Sequence, residues 1–226
     1  MAFADELLAA ASGRPIEENP FVRRVCDGTA TREELRSFAV HLAASAESFV
    51  RTLHAILAIC SEASVRQSLI ANVLEEEGAV SFRVGEGATF DPERRHSNLA
   101  RRFARATGAT DAELDAFVVG PPRWFVEALK DGEWLGPFAY IAVGTESNAP
   151  VTYRLLIPAL ATYYGFSDRE LQFFSEHVTA DDRHAMDGAL LIASIAQTEE
   201  LRAKALDGAR RGGRGWWQIL RKHVGA

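Results

Sequence analysis

Residues 31–60 read TREELRSFAVHLAASAESFVRTLHAILAIC, and the spacing of their apolar side chains decides the fold class. Leu35, Phe38, Leu42, Phe49, Leu53, Ile56, Leu57 and Cys60 recur at steps of three and four or their sums, the mark of a helix with one buried face. Thr31 with Glu34 three residues on is a capping box, in which each side chain satisfies a backbone N–H left free by the first turn. The same device recurs at Thr110/Glu113 and Ser167/Glu170. Asp91-Pro92 signals another start, with Asp as the cap and Pro where its missing N–H costs nothing.

Outward from this segment, the pattern predicts helices near 3–12, 20–27, 31–60, 62–77, 92–107, 111–118, 122–131, 134–148, 150–164 and 168–206. No stretch combines alternating polarity with the β-branched enrichment and tight turns of a hairpin, so the chain reads as all-α. Residues 78–91, GAVSFRVGEGATFD, interrupt the pattern with three glycines and read as an ordered loop or lid. The expected organisation is one helical bundle domain over residues 1–206 and a basic tail over 207–226. The tail ends RRGGRGWWQILRKHVGA, a composition that suits an anionic lipid surface. One such segment is a weak anchor, so docking on its own domain or on a sister subunit is the expectation.

The 226 residues carry 25 basic and 31 acidic side chains, a net charge of −6, which disfavours nucleic acid as a partner because phosphate affinity comes from clustered Lys and Arg. At 47% apolar the chain has enough material for a core without covalent staples. Cys26 and Cys60 both fall inside apolar helical patterns, supporting neither a disulfide framework nor a cysteine zinc site. The start, MAFADELLAAASGRP, lacks a basic lead-in, and no uninterrupted apolar run approaches ~18 residues. The expectation is a cytoplasmic protein without a membrane span.

Two of the six histidines fall in FSEHVTADDRHAM with an aspartate between them: His177, Asp181 and His184. On a helix turning about 100° per residue they share one stripe. Leu171, Phe174, Val178, Ala185 and Leu190 should point at the core, so the stripe lies beside the apolar arc. An imidazole or carboxylate there needs a partner, which a metal ion supplies; a solvated polar face is the plainer alternative. Glu146 stands alone in the apolar run FAYIAVGTESNAP, where a buried carboxylate means pairing or coordination. Glu75, Glu76 and Glu77 close a helix whose dipole prefers cations there, so something should compensate, although a solvated acidic end competes for Glu75 and Glu77. With His96, the set Glu76, His96, Glu146, His177, Asp181 and His184 offers three carboxylates and three imidazoles from four helices, the composition expected for two non-haem irons in a bundle. Glu47 and His54 share a face of the central helix and could line the pocket, as could Tyr140 and Tyr153 on either side of Glu146. Arg154 could clamp a substrate carboxylate. For Glu47 with His54 the alternative is a solvated glutamate and a histidine satisfied in the core, and for Arg154 a surface role.

At these residues the sequence resembles the haem-oxygenase-like diiron oxidases and oxygenases, relatives of pyrroloquinoline-quinone synthase and thiaminase II (TenA-like proteins). The resemblance spans residues 17–195 and rests on NPF at 19–21, GTATREELRSF, ASAESF, VRQSLIANVLEEEG at 65–78, HSNLARRF at 96–103, GTESNAPVTYRLLIPAL at 144–160 and HVTADDRH at 177–184. It implies a single-domain haem-oxygenase-like helical bundle, a homodimer, two irons per chain, O₂ as co-substrate, a small-molecule substrate and an external electron donor. Carried over residue by residue, the family's ligands fall on Glu76, His96, Glu146, His177, Asp181 and His184. The 20 residues from Glu76 to His96 exceed the family's spacing, which makes 78–91 an insertion and leaves Glu77 and Glu86 as rivals of Glu76. The implied chemistry is N-oxygenation, desaturation or oxidative C–C cleavage of an amino acid or fatty acid, in cofactor or specialised-metabolite biosynthesis.

Relatives with other chemistry fit less well. Thiaminase-like members use a later cysteine, whereas both cysteines here precede residue 61. The metal-free pyrroloquinoline-quinone synthase uses a pocket dense in basic side chains, whereas between residues 124 and 184 this chain has only Lys130, Arg154, Arg169 and Arg183. Members that form aminobenzoate at their own expense place a tyrosine directly before the second glutamate, where this chain has Thr145. A metal-independent enzyme of either kind, or a binding module without catalysis on the same fold, is the alternative.

Overall fold

The computed structural model describes residues 2–83 and 85–225, with the backbone alone for residues 82 and 179–183. Eleven described α-helices run α1 (Ala2–Ala11), α2 (Pro20–Cys26), α3 (Arg32–Ile59), α4 (Ala63–Glu76), α5 (His96–Ala106), α6 (Asp111–Ala116), α7 (Arg123–Lys130), α8 (Leu135–Ala139), α9 (Ala149–Tyr164), α10 (Gln172–Ile195) and α11 (Glu199–Arg221). Strands β1 (Ala79–Arg83) and β2 (Gly87–Phe90) lie between α4 and α5. The capping boxes form as expected at Thr31/Glu34 and Thr110/Glu113.

Helix α3 is the spine, with α4 and α5 packed along it, while α9 pairs with α10 and α11 lies across α1 and α8. One buried cluster gathers Phe21, Phe38, Phe103, Tyr153 and Phe174, and a second gathers Leu7, Leu53, Ile56, Phe125 and Ile192. Among the described helices α3 has the length and mean hydropathy, 1.3, to cross a membrane, which continuous apolar runs alone did not reveal. Leu171, Phe174 and Ala185 are buried as expected, but Leu190 is exposed. Sixteen residues past Phe174 is a rotation of about 160°, the opposite side of the helix.

Five expectations are corrected. Residues 78–91 hold an antiparallel hairpin, pairing Ala79 with Phe90 and Ser81 with Thr89; Gly85 and Gly87 take positive φ in its turn, and the Asp91 N–H closes its base on the Gly78 carbonyl at 2.9 Å. Asp91-Pro92 caps a turn and not a helix: the Asp91 carboxylate accepts from the Glu93 N–H, Arg95 is extended, and α5 begins at His96. The expected helix over 168–206 is two. Ala196 leaves helical geometry, and Thr198 caps α11 by accepting from the Leu201 N–H, with Glu199 and Glu200 favourably placed in its first turn.

The fourth correction concerns the tail. The boundary expected at 206/207 falls in mid-helix, and α11 continues through the basic, Trp-rich segment. Glycines make this packing possible, because a Cβ on Gly212 would sit 2.6 Å from the Gly144 Cα, and one on Gly213 would sit 1.8 Å from the Ala11 carbonyl oxygen. The expected helix over 134–148 is also remade: α8 runs into a π-helical segment, Tyr140–Thr145, against which α11 packs. Such π segments are frequent at functional sites.

Candidate metal centre

Helix α4 ends in Glu75-Glu76 and stops where Gly78 takes φ +78°. Glu76 faces the first residue of α5 and the second turn of α10. Its Oε2 lies 3.0 Å from His96 Nδ1 and its Oε1 4.0 Å from His177 Nε2. Glu76, His96 and His177 each offer one ligand atom, all within 4.8 Å of one another, and all three are buried. His177 Nδ1 donates to the Phe173 carbonyl at 2.7 Å, which fixes the tautomer and turns the Nε2 lone pair toward Glu76. His96 Nδ1 is buried without a hydrogen bond of acceptable geometry although a carboxylate oxygen is 3.0 Å away. Two imidazoles and a carboxylate converging on one buried point suit a divalent transition metal such as iron.

Electrostatics separates the two imidazoles. Burial lowers the pKa of His177 to about 4, helped by the neighbouring His96 ring and opposed by Glu76. Burial also works against the charged form of His96, but Glu76 outweighs it and the net shift is upward. At neutral pH His177 is therefore a neutral donor.

A second group lies beside the first. The π segment delivers Glu146, whose N–H bonds to the Ile141 carbonyl five residues back at 3.1 Å, and which is buried at 6% exposure. Asn72 Nδ2 donates to Glu146 Oε1 at 2.9 Å. His184 stands between two carboxylates, its Nδ1 3.9 Å from Glu146 Oε2 and its Nε2 3.2 Å from Glu75 Oε2. Burial raises the pKa of Glu146 to about 7 against the pull of His184 and Asn72, with Glu76 and Glu75 adding to the rise.

Two cavities meet at Glu146. One, of about 110 Å³, is walled by Leu42, Phe49, Tyr153, Phe173 and Trp216 and reaches Glu76, Glu146 and His177; among the described residues no Lys or Arg lines it. The other, of about 300 Å³, is bordered by Ser68, Asn72, Glu75, His184 and Asp187.

The structure thus brings together Glu76, His96 and His177, and sets Glu146 and His184 alongside them. The side chain of Asp181 lies outside the described residues. The rivals of Glu76 point elsewhere: Glu77 pairs with Arg95 at 2.9 Å, and Glu86 sits exposed on the hairpin beside Arg83. Of the expected substrate-pocket residues, Tyr153 lines the smaller cavity. The other four stand outside the described lining of both cavities. His54 is exposed and donates to its own helix at Val50; Glu47 pairs with Arg51 and Arg95; Arg154 is exposed, with Nη2 toward the Val178 carbonyl; the Tyr140 ring packs on Trp124 and Phe125.

Sequence reasoning missed Glu75, which reaches His184, and Glu176, whose Oε2 is 3.8 Å from His96 Nε2. Each is the immediate neighbour of a chosen residue, one helical step of about 100° away, so each borders a second face of the same site. Trp216 was missed with the supposed tail.

The model of a family described as iron-containing redox enzymes matches residues 36–217. A 4-aminobenzoate synthase of Chlamydia muridarum is 27% identical over 220 residues, covering 93% of this chain and 85% of that protein. A TenA homolog from Pseudomonas syringae superposes with a TM-score of 0.76 at 14% identity, over 100% of this chain and 93% of that one. A domain with a heme oxygenase-like fold from Shewanella denitrificans superposes at 0.66 and 15% identity, over 99% and 88%. The chain has the haem-oxygenase-like fold and belongs to the family of iron-containing redox enzymes.

Proposed function

We propose that this enzyme holds two irons between α4, α5, the π segment and α10, and uses O₂ to oxidise a small molecule. The observation that carries the reading is the buried convergence of Glu76, His96 and His177 beside a second carboxylate–imidazole pair, Glu146 and His184, with one cavity touching both groups. Glu76, His96 and His177 would hold one ion, and Glu146, Asp181 and His184 the other. Iron bound there supplies one-electron chemistry toward O₂.

The chain's own residues do the rest. The Phe173 carbonyl holds His177 in the tautomer that presents Nε2, and Asn72 fixes one oxygen of Glu146, leaving the other directed toward His184. The ring wall of Phe49, Tyr153, Phe173 and Trp216 excludes water and accepts an apolar or aromatic part of the substrate. Among the described residues that lining holds no basic side chain to clamp a carboxylate, so the substrate's polar group is expected to face the Glu/His centre.

The relatives named 4-aminobenzoate synthase support an oxidative role for this chain's fold and site. Thr145, directly before Glu146, borders the cavity at the position where the resemblance implies a tyrosine in members that form aminobenzoate at their own expense, and its hydroxyl donates to the Tyr140 carbonyl at 3.2 Å. This favours a substrate taken from solution over a side chain of the protein itself.

The test is anaerobic Fe(II) titration of the chelator-treated chain, followed by mixing with O₂ under a visible-absorbance record. Uptake near two ions per chain and an O₂-dependent absorbance change are the expected results. A folded chain that takes up no iron would overturn the reading.

A further inference from the structure

Between α1 and the last turns of α11 lies a groove of about 530 Å³ bordered by Arg14, Arg210, Arg214 and Arg221, with no acidic side chain among the described residues of its lining. In a chain of net charge −6 this is a concentrated positive patch. Among the described residues none of the four pairs with a carboxylate, although Arg211 beside them does, with Asp207. Two of the guanidinium groups lie over the indole of Trp217, Arg14 at 4.8 Å and Arg221 at 6.0 Å from its centroid. The Trp217 Nε1 is buried without a hydrogen-bond partner.

This groove is joined to the candidate metal centre by aromatic rings. Trp216, the next residue to Trp217 on α11, lines the smaller cavity and packs 5.9 Å from Tyr153. Tyr153 in turn lies 5.9 Å from the His177 ring. The series Trp217, Trp216, Tyr153, His177 therefore leads from a basic surface to a candidate ligand, by one peptide link from Trp217 to Trp216 and then by two ring-to-ring steps of 5.9 Å. A phosphate-bearing polymer or a lipid surface makes no use of such a route. The groove's lining also contributes none of the exposed large apolar side chains that would insert into a bilayer.

We propose that the groove docks an acidic one-electron donor protein of the iron–sulfur or flavin class, and that its electrons enter through Trp217, Trp216, Tyr153 and His177. The proposal rests on the iron reading above. Each encounter oxidises the partner by one electron and reduces one ferric ion at the centre to ferrous; no atom is transferred. The arginines supply steering and orientation, which complementary charge does by raising the encounter rate.

A plant-type [2Fe–2S] ferredoxin, which is acidic, is the probe. Binding is titrated on the metal-free chain with oxidised ferredoxin. Electron transfer is followed anaerobically on the ferric chain with reduced ferredoxin, and dithionite serves as a control that the iron is present and reducible. The expected result is that R210E/R214E, both exposed, and a rise in salt each weaken ferredoxin binding about tenfold or more, that R210K/R214K keeps most of it, and that dithionite reduction is unaffected. Trp217→Leu is expected to slow transfer at saturating ferredoxin about tenfold or more while Kd moves less than about twofold.

Ferredoxin binding that ignores the arginines overturns the docking proposal. So does binding of phosphatidylglycerol vesicles or RNA in its place. Unchanged transfer in Trp217→Leu overturns the route. A chain that binds ferredoxin through these arginines yet takes up no iron overturns the iron reading and the route together, whereas an iron-loaded chain that ignores ferredoxin overturns the docking proposal alone.

Discussion

Glu76, His96 and His177 converge from three helices with their ligand atoms within 4.8 Å, whereas Glu146, His184 and Glu75 are spread along the wall of a 300 Å³ cavity. The first group is walled by aromatic rings, and its His177 tautomer is set by a backbone carbonyl. In the second, His184 presents different nitrogens to different carboxylates, Nε2 to Glu75 and Nδ1 to Glu146. A site that is already assembled pays its ordering entropy during folding, whereas a spread one pays on binding. The two halves should therefore load at different iron concentrations, the α5 side first.

The largest expected effect tests that order. His177→Ala should lower affinity at the tight site by more than about 100-fold, since even outer partners of metal ligands are worth about 10- to 100-fold. His184→Ala should leave one tightly bound iron per chain and remove the weaker uptake. Anaerobic titration against a competing chelator reads both. Equal losses in the two variants would show one cooperative site in place of two unequal halves.

The halves also differ in how they respond to pH without metal. The Glu146 carboxyl keeps its proton in the folded chain up to about pH 7, while the unfolded chain releases it near the ordinary glutamate value of 4.5. Folding stability from this group therefore falls as pH rises from 4.5 to 7. His177 works the other way. Its folded pKa near 4 lies below the ordinary 6.5, so stability is lost as pH falls through that window. Glu146→Gln should raise Tm relative to the parent by roughly 5 °C above pH 7 and by almost nothing at pH 4.5. The gain of an alanine at 177 should appear only on the acid side. His41 and His223, lowered by burial to about 4 and about 3, tilt the parent curve as His177 does, so the differences between variant and parent are the quantity to measure.

Which half was legible in the sequence follows from the same contrast. The bundle was readable because Leu35, Phe38, Leu42 and Leu53 keep helical spacing and Thr31 caps them. Glu146 and the His177/His184 stripe were readable because polar residues in apolar settings need partners. Glu75 was hidden because a helix end with three acids looks solvated, and only the return of α10 past it brings His184 within 3.2 Å. Helix α11 was hidden by its glycines. Gly208 and Gly212, four apart like Ala205 and Ala209, form a stripe of small residues whose purpose shows only against Gly136 and Gly144. Its loss to a supposed tail also concealed Trp216. Residues 78–91 were misread because the hairpin turns on Gly85 and Gly87 and not on a two-residue signal.

A smaller effect concerns how the assembled half is held. Gly78 follows the glutamates at φ +78°, and a Cβ there would lie 2.6 Å from the Asp91 carbonyl oxygen and 2.8 Å from the Arg95 nitrogen. Gly78→Ala therefore strains the turn between Glu76 and His96 at a cost of roughly 1–3 kcal/mol. It should weaken the tight iron site while leaving the Glu146 half at parental affinity. A uniform loss at both halves would mean that the turn supports the bundle and not the site.

The smallest effect is expected from the hairpin beyond that turn. Its base is fixed by the Asp91 N–H on the Gly78 carbonyl, and Ser81 pairs with Thr89 just above it, whereas Glu86 and Arg83 near the tip pair only with each other among the described residues. Replacing residues 82–88 by Asn-Gly keeps the Ser81–Thr89 pair and closes it with a two-residue turn. If Glu76 and His96 are positioned by the base alone, the shortened chain should bind iron at both halves within about twofold of the parent, since surface changes away from specific contacts usually move stability by less than about 0.5 kcal/mol. A loss confined to the tight half would instead make the strands part of what assembles it, and its preorganisation would then depend on an element that the Glu146 half does not use.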